Sequence, residues 1–153
     1  MQIVIGAIGR LRAGPEATLF RHFHKRITAW QVEVREFELK RKVARERVCD
    51  AESELLLSAV PDGAHVIALD ETGKLATSAG LATDIGFLQD SGCRDLVFLI
   101  GGADGHGAAV RARADRTIAF GRNTWPHLLM RALLAEQVYR AQQIITRHPY
   151  HRA

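Results

Sequence analysis

Glycine-rich segments in the second half of the chain are the strongest candidates for a ligand site. The first segment follows the apolar run 96–100 and places four glycines within seven residues, at positions 101, 102, 105 and 107. The second segment is Gly121-Arg122-Asn123-Thr124-Trp125-Pro126. Glycine lets a backbone approach a ligand where a Cβ would clash. The pattern predicts a buried strand whose carboxyl end opens into a loop, which is where ligands bind in open α/β sheets.

The spacing of these glycines differs from two common nucleotide motifs. Residues 101–107 read Gly-Gly-x-x-Gly-x-Gly, which does not match the dinucleotide fingerprint G-x-G-x-x-G and lacks the Gly-Lys-Ser/Thr ending of a P-loop. Taken alone, the glycines fit a tight turn before a helix equally well. Three loops, 69–74, 100–107 and 120–126, nevertheless each follow a predicted strand. In a parallel sheet all three gather at one edge, which favours a functional site there.

Hydrophobic periodicity predicts five strands that alternate with helices. The strands are predicted at 2–8, 32–39, 64–69, 95–100 and 116–120, and the helices at about 15–28, 42–59, 77–91, 107–114 and 125–146. This alternation is typical of a mainly parallel sheet flanked by helices, in a single α/β domain over 1–153. Thr124 is the expected N-cap of the last helix, with Pro126 in its first turn.

Composition is that of an ordinary globular protein with a mildly basic balance. The 153 residues carry a formal net charge of +4 and a sequence pI near 9.5. No apolar stretch approaches the roughly 20 residues that span a bilayer, and the start of the chain does not resemble a signal peptide. Cys49 and Cys93 are therefore expected to be reduced thiols in the cytoplasm. The histidines and cysteines show no metal-ligand spacing, so we expect neither a metal nor a membrane partner.

Four motifs together resemble the RlmH family. These small SPOUT-class methyltransferases methylate N3 of a pseudouridine in large-subunit ribosomal RNA. The motifs are Ile100-Gly101-Gly102-x-x-Gly105 and the segments 124–131, 136–141 and 148–152. The resemblance covers nearly the whole chain, although the first 60 residues match mostly in layout. It implies an α/β fold with a trefoil knot near the C-terminus, an obligate homodimer and S-adenosylmethionine bound in the knot.

The resemblance also implies which residues form the site. The cofactor-binding residues would be Leu69, Asp70, Gly101, Gly102, Gly121, Arg122, Asn123, Thr124, Trp125 and Pro126. N3 of a uracil-type ring is protonated at neutral pH, so a general base or cationic hydrogen-bond donors would lower the barrier. The candidates for this role are Arg140, Tyr150, His151 and Arg152. The residues do not decide between His151 as base and an arginine that steadies the base or a phosphate.

The last helix and the tail each allow two interpretations. Leu129, Ala132 and Tyr139 widen the apolar surface of the helix beyond a normal core face, which favours contact with a second subunit over burial within the chain. Arg140 lies four residues after Glu136, so a simple ion pair competes with a catalytic role. The tail is either frayed or ordered across a dimer interface, where it would complete the partner's site.

A charged segment at 35–47 includes Lys40-Arg41-Lys42 among several glutamates. A solvated strand-to-helix junction explains it, but contact with RNA phosphates is the alternative, and Arg10 and Arg12 could join that contact. The expected partner is large-subunit rRNA within the assembled ribosome. Three other functions remain open: a methyltransferase of the same fold acting on another RNA such as tRNA, a non-catalytic ribosome-binding protein, and a flavodoxin-like mononucleotide binder.

Overall fold

Five parallel strands form one sheet in the computed structural model, which describes residues 1–150. The strands are β1 (Gln2–Ile8), β2 (Gln31–Phe37), β3 (His65–Leu75), β4 (Asp95–Ile100) and β5 (Arg116–Ala119). They are arranged in the order β2-β1-β4-β3-β5, and every neighbouring pair is parallel. All five carboxyl ends therefore lie along the same edge of the sheet, with the end of β4 at its centre.

Helices cover both faces of this sheet. They are α1 (Pro15–His24), α2 (Arg45–Leu57), α3 (Ser78–Asp90), α4 (Ala108–Arg113) and α5 (His127–Ile145). The first, third and fifth helices pack on one face, and α2 and α4 pack on the other. The predicted α/β fold with a parallel sheet flanked by helices is confirmed. None of the helices within residues 1–150 is long and apolar enough to cross a membrane.

Strands β1 and β4 are apolar after their first residue because both of their sides are buried. In β1, Ile3 and Ile5 belong to the core beneath α1, α3 and α5, whereas Val4 and Ile8 face the core beneath α2 and α4. Strand β4 divides its side chains in the same way and is fully buried after its first residue. Burial on both faces is the reason why these strands appear as continuous apolar runs in the sequence rather than as alternating patterns.

Strand β3 is longer than the sequence predicts. The strand was expected to end at Leu69, but it continues to Leu75 after a bulge, and both Leu69 and Lys74 pair with Ile118 of β5. Gly73 makes this possible because a Cβ there would lie 2.7 Å from backbone atoms of Ile118. Turn-forming residues at 70–73 thus mark an irregularity within a strand. The predicted loop protrudes from the sheet, but pairing resumes beyond it.

The start of α5 differs from the expected cap. The N-cap position is occupied by Pro126 without a side-chain hydrogen bond, so the prediction of Thr124 as N-cap is wrong. Further along the helix, Ala132 and Tyr139 are buried within the chain itself. These two residues pack in the core beneath α1 and α3, so they do not provide the apolar face expected for a second subunit.

Candidate active site

A cleft of about 560 Å³ opens at the carboxyl edge of the sheet, above β3, β4 and β5. Its walls come from the bulge of β3, the glycine-rich loop after β4, the segment 118–126 and the first turn of α5. The three loops that were expected to gather at one edge do meet here. The volume lies within the roughly 300–1,000 Å³ that is usual for small-molecule sites.

Most of the predicted cofactor residues line this cleft. They are Leu69, Asp70, Gly101, Gly102, Gly121, Asn123, Thr124, Trp125 and Pro126. Arg122 is not part of the wall, and its guanidinium donates to the carbonyl of Gly73 at 3.3 Å. Four apolar lining residues were not predicted to bind the cofactor, although their positions at strand ends and in the first helical turn were a usable signal: Ile100, Ile118, Phe120 and Met130.

The two central glycines lie in close contact with neighbouring parts of the chain, with backbone at Gly101 and with a side chain at Gly102. A Cβ on Gly101 would lie 2.5 Å from the carbonyl oxygen of Gly105, and a Cβ on Gly102 would lie 2.5 Å from the carboxylate of Glu52 on α2. Gly105 also donates its amide to the carbonyl of Gly102 at 3.1 Å. The loop therefore folds tightly back on itself and against α2, which leaves backbone rather than side chains in this part of the cleft wall.

A hydrogen bond from His106 joins this loop to Leu69, the last residue of β3 before the bulge. The side chain of His106 is only 3% exposed, and its Nε2–H donates to the carbonyl of Leu69 at 3.0 Å. Burial lowers the pKa of His106, so the ring is neutral at pH 7 and its bond to a carbonyl needs no charge. His106 does not line the cleft itself, but its hydrogen bond holds Leu69 in the cleft wall.

A negative charge lies in the β3 wall of the cleft. Burial alone would raise the pKa of Asp70, but hydrogen bonds from the hydroxyl and amide of Thr72, together with the nearby Arg111 guanidinium, lower it overall. Asp70 is therefore ionised at neutral pH. Glu71 and Asp104 also line the cleft, so this side of it is acidic. Within residues 1–150, no group of three or more His, Cys, Asp and Glu side chains could hold a metal ion.

The segment 121–126 is fixed against the bulge of β3. Gly121 has a φ of 107°, a left-handed conformation that favours glycine, and it reverses the chain after β5. The Thr124 hydroxyl donates to the carboxylate of Glu71 at 2.6 Å, and the Trp125 indole N–H donates to the carbonyl of Phe120 at 3.0 Å. These contacts order a loop that would otherwise be free at the mouth of the cleft.

His127 forms the corner of the cleft at the start of α5. The ring is half-buried, and its Nε2 faces Gly9, where a Cβ would lie 3.2 Å away. Burial and the charge of Arg131 lower the pKa of His127. The imidazole is therefore neutral at pH 7.

Arg140 and Tyr150 lie outside the cleft of their own chain. Arg140 is ten residues beyond Met130 on α5, which corresponds to about 15 Å along the helix axis. Its Nε donates to the carboxylate of Glu136 at 2.8 Å, and the Tyr150 hydroxyl donates to the same oxygen at 3.2 Å. Burial and the Glu136 carboxylate raise the pKa of Tyr150. The ion pair that the sequence suggested for Glu136 and Arg140 is thus formed.

The tail begins against α1 and α5. The Tyr150 ring packs edge-on against Tyr139 with centroids 4.9 Å apart, and the guanidinium of Arg140 lies 5.0 Å from the centroid of Tyr150. Arg26 of the turn after α1 covers the Tyr139 ring at 4.4 Å. The candidates His151 and Arg152 lie outside the described residues.

Comparison with known proteins gives consistent matches over the full length. A family model described as "Predicted SPOUT methyltransferase" matches residues 1–151. A relative from Paramagnetospirillum magneticum, named Ribosomal RNA large subunit methyltransferase H, is 52% identical over 152 residues and 99% of each chain. A relative of the same name from Rhodospirillum centenum is 47% identical over 153 residues and 100% of each chain.

Solved structures show the same fold at much lower identity. A probable methylase family protein from Haemophilus influenzae aligns with a TM-score of 0.63 and 11% identity, over 99% of this chain and 70% of that one. TrmJ from Z. mobilis aligns with a TM-score of 0.57 and 18% identity, over 92% of this chain and 69% of its own.

Proposed function

The chain belongs to the SPOUT methyltransferase family, and we propose that it methylates N3 of a pseudouridine in large-subunit ribosomal RNA. The observation that carries this proposal is the full-length identity to relatives whose names specify large-subunit rRNA. The motifs at 100–105, 124–131, 136–141 and 148–152, which resemble those of the RlmH family, support the choice of base and atom. Members of the family are enzymes that require a methyl donor.

S-adenosylmethionine is the methyl donor that we propose for the cleft. The residues present fit this molecule in size and chemistry. Leu69, Ile100 and Ile118 provide apolar surface for an adenine, and backbone groups at 101–105 and 121–126 can bond its polar edge. The ionised Asp70 complements a sulfonium cation. When bound, the donor would supply an electrophilic methyl carbon.

The protein's own contribution to catalysis is to place the target base. Orientation of two reactants can contribute about 7–11 kcal/mol to lowering the barrier. The N3 proton must also leave, and His127 is a neutral histidine at the cleft corner that can accept it. Arg140 and the tail residues Tyr150, His151 and Arg152 remain candidates for the same proton or for the negative charge that develops on the ring.

A homodimer in which the tail of one chain completes the cleft of the other accounts for the positions of Arg140 and Tyr150. Both side chains bond Glu136, and Tyr150 lies near Arg26 after α1, so neither lines its own cleft. Phe87 on α3 is 70% exposed and Ile145 at the end of α5 is 40% exposed, so apolar side chains are available to a second chain. The trefoil knot near the C-terminus remains a prediction from the family.

The assembled ribosome is the proposed substrate, which would place the protein in the bacterial cytoplasm. No additional RNA-binding domain accompanies the sheet and helices in residues 1–150, so recognition would depend on the surface around the cleft and on the ribosome presenting the RNA. Faster methylation of free rRNA than of ribosomes would contradict this part of the proposal.

The proposal is tested by methylation of ribosomes from a strain that lacks the homologous gene, with labelled S-adenosylmethionine. We expect label in large-subunit rRNA, at one pseudouridine whose N3 carries the methyl group when mapped by mass spectrometry. Label confined to tRNA would identify a different substrate. Failure of calorimetry to detect the donor at millimolar concentration, together with ribosome binding, would indicate a non-catalytic binding protein.

A further inference from the structure

Two basic loops lie beside the cleft on the same edge of the sheet. β1 pairs with β4 and β2 pairs with β1, so the segments after β1 and β2 begin about 5 and 10 Å along this edge from the end of β4. The first segment carries Arg10 and Arg12, and the second carries Lys40, Arg41 and Lys42. All five side chains are exposed. We refer to these five residues as the basic rim.

The first loop is joined directly to the cleft. Gly9 faces the ring of His127, a cleft residue, and Arg10 is the next residue in the chain. Arg131 of α5 is fully buried and donates from Nη2 to the carbonyls of Ile8 and Gly9, at 3.0 and 2.9 Å. The start of α5 therefore holds the backbone that presents Arg10 and Arg12.

The same arginine links the two loops to each other. Its Nη1 donates to the carboxylate of Glu36, near the end of β2, and that carboxylate also accepts the amide of Leu11 at 2.8 Å. The amide of Gly9 donates to the carbonyl of Phe37 at 2.8 Å. The backbones at the base of the basic rim are thus fixed relative to the cleft.

Most of the charge on the basic rim is not compensated. Arg10 pairs with Glu38 at 3.1 Å, but both side chains are exposed and such pairs are weak. No carboxylate of residues 1–150 lies within 4.0 Å of the charged atoms of the other four side chains. The opposite side of the cleft carries Asp70, Glu71 and Asp104, with Arg111 occupied by Asp70. Lys74 and Arg122 add two exposed cations on that side, so its charges roughly balance. A polyanion that reaches the cleft is therefore attracted most strongly on the β1 and β2 side, where cations are in excess.

We infer that the basic rim binds the phosphate backbone of the RNA whose base enters the cleft. This inference rests on the proposed function and adds to it the direction from which the substrate approaches. The rim contributes charge rather than sequence recognition, because phosphate contacts fix register and orientation but do not read bases. The chemical partner is a stretch of ribosomal RNA backbone flanking the target nucleotide.

The test compares two double variants with the same net charge. Arg12→Ala with Lys40→Ala removes one cation from each loop of the rim. The control, Lys25→Ala with Arg94→Ala, also removes one lysine and one arginine. Lys25 follows α1 and Arg94 precedes β4, so both are exposed and lie away from the carboxyl edge. KM for ribosomes, its dependence on salt, kcat and the Kd for S-adenosylmethionine are measured for both variants and the wild type.

We expect the rim variant to raise KM for ribosomes by about tenfold and to reduce the slope of log affinity against log salt by about 1 to 2. Its kcat at saturating ribosomes, its Kd for the donor and its unfolding temperature should match those of the wild type. The control variant should match the wild type in KM and salt slope. A wild-type KM and salt slope in the rim variant, or the same loss in both variants, would overturn the inference.

Two further outcomes separate this inference from the proposed function. A change of oligomeric state in the rim variant alone would show that the rim contacts a second subunit and would overturn the inference. If the wild type methylates no ribosomes, the proposed function fails, but co-sedimentation of each variant with ribosomes still tests the rim. Weaker co-sedimentation of the rim variant alone would then support RNA binding, and equal co-sedimentation would contradict it.

Discussion

At the scale of residues, packing within the protein is enough to explain the glycines of the candidate site, without any ligand. Gly101 faces the carbonyl of Gly105, Gly102 faces Glu52, and Gly73 faces the backbone of Ile118. At Gly101 and Gly73 a side chain would collide with backbone, whereas at Gly102 it would displace the Glu52 carboxylate. A cleft walled by backbone therefore arises because loops pack closely here, and the backbone groups exposed by that packing are available to a ligand.

The substitution Gly101→Ala tests this reading. The added Cβ meets a backbone oxygen at 2.5 Å, so the loop must move, and we expect a loss of about 1–3 kcal/mol in the free energy of unfolding. Gly86→Ala on α3 is the control, because its nearest neighbour is Ile145 at 3.9 Å and alanine favours the helix by up to about 1 kcal/mol. Urea denaturation measures both, and equal stability of the two variants would contradict the expectation.

From the burial of His106 we expect the free energy of unfolding to decrease as the pH is lowered. Burial lowers its pKa in the folded chain, so the unfolded chain binds the proton more strongly. The stability it contributes is complete above its ordinary pKa of about 6.5 and is lost as the pH falls through that value towards the folded pKa. We expect the free energy of unfolding to fall between pH 7 and 5, and less steeply in His106→Gln, which keeps a donor for Leu69. Identical slopes for the two proteins would contradict this role.

At the scale of elements, α5 joins the cleft to the outer strands through one buried side chain. Arg131 lies in the helix but bonds the carbonyls that end β1 and the Glu36 carboxylate of β2. The first turn of the same helix provides His127 and Met130 to the cleft. Together with the packing of α5 against α1 and α3, this contact holds the last helix, and therefore one cleft wall, at the carboxyl edge of the sheet.

We expect Arg131→Met to lower the free energy of unfolding by about 3 kcal/mol, because it removes a buried cation and leaves Glu36 and the carbonyls of Ile8 and Gly9 without their partner. The control is Arg116→Met, which breaks a partly exposed pair with Asp84 and should cost no more than about 1 kcal/mol. Urea denaturation at pH 7 compares them. A cost for Arg131→Met that does not exceed the control would show that the network is dispensable.

The sequence predicts those elements whose signals are local. An apolar run such as 95–100 identifies a buried strand because burial on both faces removes every polar position, and the glycines after it identify the edge loop. Arg131 could not be interpreted in this way, because its partner Glu36 is 95 residues distant and a lone arginine on an apolar helix suggests the surface. The extension of β3 was missed for the same reason, since its pairing with Ile118 comes from another part of the chain.

At the scale of the whole molecule, the candidate site divides into two parts that a single chain keeps separate. The cleft holds most of the predicted cofactor residues, whereas Arg140 lies about 15 Å along α5 from Met130. Tyr150, in the tail, contacts Glu136 and Arg26 beside Arg140. A twofold dimer uses the same surface on both subunits, so one contact can bring each tail to the other cleft. Under the proposed homodimer, catalysis would require both subunits.

Complementation between two inactive chains tests this requirement. Asp70→Arg places a second cation beside Arg111 and opposes a cationic donor, and Arg140→Ala with Tyr150→Ala removes the second part of the site. Each homodimer should be inactive in ribosome methylation. Co-expression should restore about a quarter of wild-type activity, because half of the dimers are mixed and each holds one intact pair of cleft and partner tail. If each tail acted in its own cleft, no mixed dimer would hold an intact site, and activity would stay at the level of the separate variants.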